Sequence, residues 1–353
     1  MVLSSRLPRR RFLQGSLPAA LAVAFLPAAT PLARAQSTPA SAPTSSLGWS
    51  DELEDSNGKL NVVATVAPIS SIVRNVGGTL IDLRGIVPDG TNSHTFEPAP
   101  SDATILAAAD LVIVNGLALE TPTIELAEAN PRDGAEIFSL GDKTITRDEW
   151  AFDFSFPEEE GDPNPHLWVN VPYARNYAEL TRDKLAERDP DNSTTYQENF
   201  DRYAAVLDRL DVAIMAAVQT IPEENRKLLT YHDSYAYFAK HYGMTVIGAV
   251  QPSDFSEPSP QEVAGLIDQV RETGVPAVFG SEVFPSDVLE QIAEEAGAEY
   301  VDELRDDDPP GEPGDPEHTY VGMMLRNMDL MVNALGGTDA ALADVSPYDT
   351  YVE

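Results

Sequence analysis

The stretch G-T-N-S-H-T-F-E-P-A-P-S-D, Gly90 to Asp102, decides how the rest of the chain is read. It follows the apolar run Ile81–Val87 and leads, past Pro98, Pro100 and the capping candidates Ser101 and Asp102, into the helical run Ala103–Ala109. His94 therefore lies beyond the carboxyl end of a strand, where open α/β sheets place their ligand contacts. His166 and His232 stand in comparable settings far downstream. The arrangement predicts a fold that brings three imidazoles and one carboxylate onto a single metal ion.

From Leu60 onward short β-rich runs alternate with helical patterns, which implies mostly parallel sheets with crossover helices. Strands are expected at Leu60–Val66, Ile81–Val87, Leu111–Asn115 and Glu136–Phe138. A second set follows at Lys227–Tyr231, Thr245–Ala249, Ala277–Gly280 and Glu299–Val301. The fold class is α/β, with two four-stranded α/β lobes. Two helical patterns separate the sets. Pro172 to Arg188 begins with proline in the first turn, and Ser193–Thr220 carries Tyr203, Val206, Leu207, Leu210, Ile214 and Val218 at helical spacing. A rigid helical link predicts only a modest tilt of the lobes when ligand binds.

The first 35 residues are set apart from the fold. Arg9-Arg10-Arg11-Phe12-Leu13-Gln14, the apolar Leu17–Pro27 and Ala33-Arg34-Ala35 form a twin-arginine signal peptide with its cleavage site. The apolar run is well under the roughly 20 residues that span a bilayer. Residues 36–59, rich in Ser, Pro and acid, read as a flexible tether. The expected segments are 1–35, 36–59, a first lobe over 60–171, a linking helix over 172–188 and a second lobe over 189–353.

The chain holds 23 Lys and Arg against 58 Asp and Glu, for a net charge of −35. Cleavage after Ala35 would remove five arginines and no acid, leaving a charge near −40. Such a chain repels nucleic acid and anionic membrane surfaces. It has no cysteine, which excludes disulfides, thiolate ligands and a lipid-modified N-terminal cysteine. Any metal must be held by nitrogen and oxygen, and the protein is expected outside the cytoplasm, periplasmic or extracellular, without an evident lipid anchor.

A single histidine is more often structural than a ligand. Here there are only five, and three follow strands or turn signals. His166 lies in N-P-H-L-W-V-N (Asn164–Asn170), where two prolines flank the approach and Trp168 can exclude water. His232 follows Lys227–Tyr231 and precedes Asp233-Ser234, a plausible helix start. Neutral imidazole is the usual nitrogen donor for zinc and its neighbours. The fourth candidate is Asp302, directly after Glu299-Tyr300-Val301, although Glu303, Asp306, Asp307 and Asp308 crowd nearby and an acidic run is commonly a solvated face. His94, His166, His232 and Asp302 would then supply two ligands from each lobe.

The ordered motifs resemble one family closely. S-H-T-F-E-P-A-P-S-D (Ser93–Asp102), A-D-L-V-I-V-N-G-L-A-L-E (Ala109–Glu120), N-P-H-L-W-V-N-V (Asn164–Val171) and T-Y-H-D-S-Y-A-Y-F-A-K-H-Y-G-M (Thr230–Met244) are followed by G-S-E-V-F, Y-V-D-E-L and T-Y-V-G-M-M-L-R-N. The chain is similar, from about Leu60 to Leu335, to the metal-binding solute-binding proteins of ABC importers, cluster A-I. The resemblance implies two lobes joined by a long backbone helix, for which the helix from Pro172 is the choice, and a metal site in the cleft between the lobes. It implies metal ligands at His94, His166, His232 and Asp302, and a monomer that captures a divalent metal for an ABC permease driven by a separate ATPase. The chain has no phosphate-cradling G-x-x-x-x-G-K-[ST], so ATP hydrolysis is not expected of it.

Two departures stand out. Zinc members often carry a His-rich loop before the second ligand motif, whereas Asp148–Asp162 here holds E-E-E and reads as a mobile acidic loop. Many members are lipoproteins, a modification made on cysteine. Three imidazoles and one carboxylate favour Zn2+ over Mn2+, with Fe2+ third, and manganese members commonly have Glu in place of His232. His318 is expected near the start of the last helix, serving the surface, and His241 is structural. Glu282 is expected in the cleft behind the ligands, and Trp168, Tyr231, Tyr235 and Phe284 form a candidate apolar shell. The competing class is a secreted zinc hydrolase with an open three-histidine site and Glu282 as base. A manganese-loaded, adhesin-like surface protein would keep the fold and change the partner.

Overall fold

The computed structural model describes residues 53, 57–283 and 286–351. The signal peptide, most of the 36–59 tether and Phe284 lie outside them. Leu53 packs against apolar residues of the first lobe, and Asn57 donates to Asp82. The end of the expected tether is therefore laid down on the fold.

Four parallel strands form the first sheet: β1 Leu60–Ala64, β2 Ile81–Gly85, β3 Leu111–Val114 and β4 Glu136–Ser139, in the order β2-β1-β3-β4. The two inner strands read L-N-V-V-A and L-V-I-V, and β3 is buried along its whole length, as a strand covered on both faces should be. Helices α1 Ala67–Gly77, α2 Asp102–Ala108 and α3 Thr121–Ala129 cross over between them, followed by the short α4 Gly141–Thr144.

After the two long helices α5 Val171–Arg188 and α6 Ser193–Thr220, the pattern repeats. Strands β5 Lys227–Thr230, β6 Thr245–Ala249, β7 Ala277–Ser281 and β8 Glu299–Leu304 pair in the order β6-β5-β7-β8, all parallel. Their helices are α7 Ala236–Tyr242, α8 Pro260–Thr273, α9 Asp287–Ala296 and α10 Tyr320–Ala334. Both sheets reverse their winding between the two inner strands, and both turn their carboxyl ends to a common cleft.

The apolar face expected on α6 is buried throughout, from Tyr203 to Val218. At about 42 Å for 28 residues, this helix is long enough to serve both lobes. Near its start Asn199 donates to the carbonyl of Val76 at 3.0 Å at the end of α1. Farther along, Asp211 accepts from Tyr242 at 2.9 Å at the end of α7, and α10 packs on it as well. Helix α5 packs on α1, α4 and α6. Helix α6 thus touches elements of both lobes, and α5 also meets α7 at its start, where the Tyr173 and Tyr237 ring centroids lie 5.9 Å apart. Sequence does not rank the two as the link, because both are long, follow one another and carry buried faces.

Candidate metal centre

The three histidines converge. His94 Nε2 lies 3.0 Å from His166 Nε2, which lies 2.9 Å from His232 Nε2. His166 and His232 are buried, while His94, on the loop between β2 and α2, is partly open to the cleft.

Their tautomers are set from behind. His166 Nδ1 is 2.8 Å from Asn164 Oδ1, and that oxygen also accepts the His166 backbone N–H at 3.0 Å. The Asn164 amide donates to the Asp233 carbonyl at 2.7 Å, which fixes its orientation. His232 Nδ1 is 2.7 Å from Gln251 Oε1. With Nδ1–H donating to an amide oxygen in each case, both Nε2 atoms present lone pairs to one another. Two lone pairs at 2.9 Å repel unless a cation lies between them. Nitrogen ligands placed tetrahedrally at about 2.0–2.1 Å from zinc would stand about 3.3 Å apart, so the cluster is drawn tightly around one position. Burial, and next the charge of His232, hold His94 and His166 well below the ordinary imidazole range, keeping both neutral and able to ligate.

The carboxylate facing this cluster is Asp306. Its Oδ2 lies 3.4 Å from His232 Nε2 and 3.7 Å from His166 Nε2, and it is buried without a hydrogen bond of regular geometry, the Ser234 hydroxyl being the neighbouring polar group. Desolvation, and then the charge of Glu282, push this carboxyl well above the ordinary range.

Asp302 is not brought to the cluster. It is exposed on β8, lining a different depression with Glu290, Tyr300 and Glu303. The reason is strand length. β8 runs to Leu304, three residues past the expected end, and the β7–β8 pairing shifts by one residue between Phe279 and Ser281. Val301 is buried, so alternation along the strand turns Asp302 to the opposite, exposed face, and the shift that follows lets Leu304 be buried as well. Asp306 then falls two residues past its strand, as His232 does after β5. That parallel between β5 and β8 is the signal that could have found it.

The remaining acids of the run have separate work. Glu282 Oε1 accepts the backbone N–H groups of Asp306, Asp307 and Asp308 at 2.9, 3.0 and 3.0 Å, holding the turn that presents Asp306. Trp168 Nε1 donates to the Asp306 carbonyl at 2.7 Å. Asp307 accepts both the N–H and the hydroxyl of Ser93, at 3.1 and 2.9 Å, and Asp308 accepts the N–H of Gly90. One acidic turn of the second lobe therefore faces the metal position and grips the His94 loop of the first.

Of the expected shell, Trp168 is buried with its ring 5.1 Å from that of His166, and Tyr235 donates to the Arg305 carbonyl at 2.9 Å. The rings that lie on the outer side of the histidines are Phe156 and Phe255, neither of which was singled out. Nothing but tertiary contact marks them. The acidic stretch 148–162 is not free of the fold: Ser155 donates from its N–H to Asp233 and from its hydroxyl to the Gln251 carbonyl, at 2.9 and 2.6 Å. His318 is buried rather than superficial, 3.5 Å from Asp89 of the first lobe, and His241 pairs with Asp211 at 2.8 Å.

The family model described as "zinc-uptake complex component A periplasmic" matches residues 62–334. Manganese-binding lipoprotein MntA of Halalkalibacterium halodurans is 31% identical over 283 residues, 80% of this chain and 90% of that protein. Iron-binding protein YfeA of Yersinia pestis is 29% identical over 282 residues, covering 80% and 88%. Among solved structures, the periplasmic zinc binding protein TroA from Treponema pallidum matches with a TM-score of 0.71 at 28% identity, over 79% of this chain and 99% of that one. Fold, cleft and sequence agree, and the chain belongs to the zinc-uptake component A family, the metal-binding solute-binding proteins of ABC importers.

Proposed function

We propose that this protein captures zinc outside the cytoplasm through His94, His166, His232 and Asp306 and delivers it to its permease and ATPase as a monomer. The observation that carries this reading is the approach of two Nε2 atoms to 2.9 Å, with a buried carboxylate oxygen 3.4 Å away. Three imidazoles and one carboxylate suit tetrahedral zinc, whereas manganese takes more oxygen and keeps water. The relatives named for manganese and iron make the cargo the finer point. A hydrolase is the weaker reading, because Asp306 stands where a catalytic water would bind and Glu282 is committed to three backbone amides. Export by the twin-arginine segment, without a lipidated cysteine, belongs to the same proposal.

Metal analysis of protein purified without added metal, followed by competitive titration with zinc and manganese, tests it. Zinc should co-purify, which bears on the cargo, while the titration bears on the site, since sites of this type bind zinc more tightly than manganese whatever they carry; His166→Ala should lose that affinity with the fold retained. A His166→Ala protein that titrates like the parent would remove this residue from the site, and manganese co-purifying in place of zinc would overturn the cargo.

A further inference from the structure

The outer side of the histidine cluster is closed by two phenylalanines from different lobes. Phe255, on the loop after β6, lies flat on His94 with ring centroids 4.7 Å apart and planes 22° apart, and its ring is 6.4 Å from that of His232. Phe156, from the 148–162 stretch, is 5.5 Å from His94 and 5.8 Å from His166. The two phenylalanine rings meet edge-on at 6.2 Å. Between them they touch all three imidazoles.

Phe255 occupies this position at a conformational cost. Its φ is +56°, a region L side chains other than Asn and Asp rarely take. The turn is closed by its N–H donating to the Pro252 carbonyl at 3.0 Å, and a glycine would serve that turn without strain. A bulky aromatic kept in a left-handed turn points to a task for the ring. Outside the cap lies a cleft of about 160 Å3 that reaches His94 and is rimmed by Glu160, Asp162 and Ser253. Across its mouth the Ser253 hydroxyl donates to Glu160 at 2.7 Å, tying the Phe255 loop to the Phe156 stretch.

We propose that Phe255 is a specificity-determining residue: its ring, completed by Phe156, keeps water off the metal and so holds the ion at four protein ligands. Zinc is satisfied with four, while manganese prefers six ligands rich in oxygen and must retain water, which the cap admits only at the edge of His94 that the cleft reaches. The ring also bars the way between the ion and the acidic cleft, so the Phe255 loop must lift for metal to pass. This rests on the zinc reading of the same site and adds the group that enforces it.

Cobalt(II) is the probe, because four-coordinate cobalt absorbs strongly in the visible and the absorption weakens when a water adds. Phe255→Gly removes the ring and relieves the backbone, so folding should be unharmed, and Phe255→Tyr restores the ring. The parent and Phe255→Tyr should give the intense spectrum. Phe255→Gly should give a weak one, lose zinc to a chelator at least about tenfold faster, and narrow the preference for zinc over manganese. A Phe255→Gly protein matching the parent in spectrum and release rate would overturn the cap while leaving the metal site standing. A parent that takes up no cobalt or zinc would overturn the site itself.

Discussion

Asp302 and Asp306 are four residues apart, and only one of them can complete the donor set. Asp306→Ala should lower zinc affinity by about 100-fold or more, because it removes a donor and leaves three imidazoles, whereas Asp302→Ala should stay within about twofold, since it removes an exposed side chain. Competition against a chromophoric chelator separates the two, and equal losses would refute the assignment. The groups behind the ligands should matter less but measurably. Gln251→Ala frees the Nδ1 of His232 and should weaken zinc by about 10- to 100-fold, the usual scale for a partner that orients a ligand. The histidines were legible in sequence because the residue is rare in this chain and each follows a strand or a turn signal. The carboxylate was not, because it is one of five acids within seven residues, Asp302 to Asp308, and local composition does not rank them.

The turn Arg305–Asp308 owes its shape to a side chain from another strand end. Glu282 gathers three N–H groups of that turn on one oxygen, and Asn327 accepts the Arg305 N–H at 2.9 Å. Glu282→Ala should therefore reduce zinc affinity although Glu282 does not face the ion, and should cost about 2 kcal/mol of folding stability for the backbone donors left poorly satisfied. Denaturant unfolding of the metal-free variant reads the second effect, and unchanged stability would mean that water replaces the carboxylate fully. Helix positions follow from sequence more faithfully than the turns do. α6 was foreseen from Ser193 to Thr220 with the right buried face, because 28 residues of 3.6-residue periodicity outweigh local noise. That it touches elements of both lobes was not foreseen, since periodicity shows which face is covered and not what covers it.

The closed molecule concentrates acid in its interior. Burial heads the causes that raise Asp89, Glu120, Asp153, Asp233, Asp306, Asp307, Asp308 and Asp349, with Glu120 and Asp308 pushed up to about 7 and Asp153 to about 9. A carboxyl with a raised folded-state pKa binds, on folding, a proton that the unfolded chain has released. Its contribution to stability is therefore present at low pH and lost as pH rises from about 4 through the folded value. The depressed His94 and His166 act oppositely, removing stability as pH falls below about 6.5. The carboxylates outnumber them, so metal-free protein should melt at a higher temperature at pH 5.5 than at pH 8. Zinc should reverse that order, because binding requires neutral imidazoles and an ionised Asp306. Calorimetry with chelator and with zinc checks both signs, and a metal-free melting temperature that rises toward pH 8 would show these acids to be ionised and paired.

The alternation of short β-branched runs with helical periods was enough to specify two parallel four-stranded lobes, since strand and helix formation respond to patterns a few residues long. The same reading singled out the three imidazoles, because a rare side chain beside strand ends and turn signals stands out from its surroundings. Which acid lies beside them, which helices touch both lobes and which rings pack on the histidines are visible only in the tertiary structure. A one-residue register shift in β8, the packing partners of α6 and the approach of Phe156 to Phe255 arise between segments far apart in the chain. Local propensity carries no term for contacts of that kind.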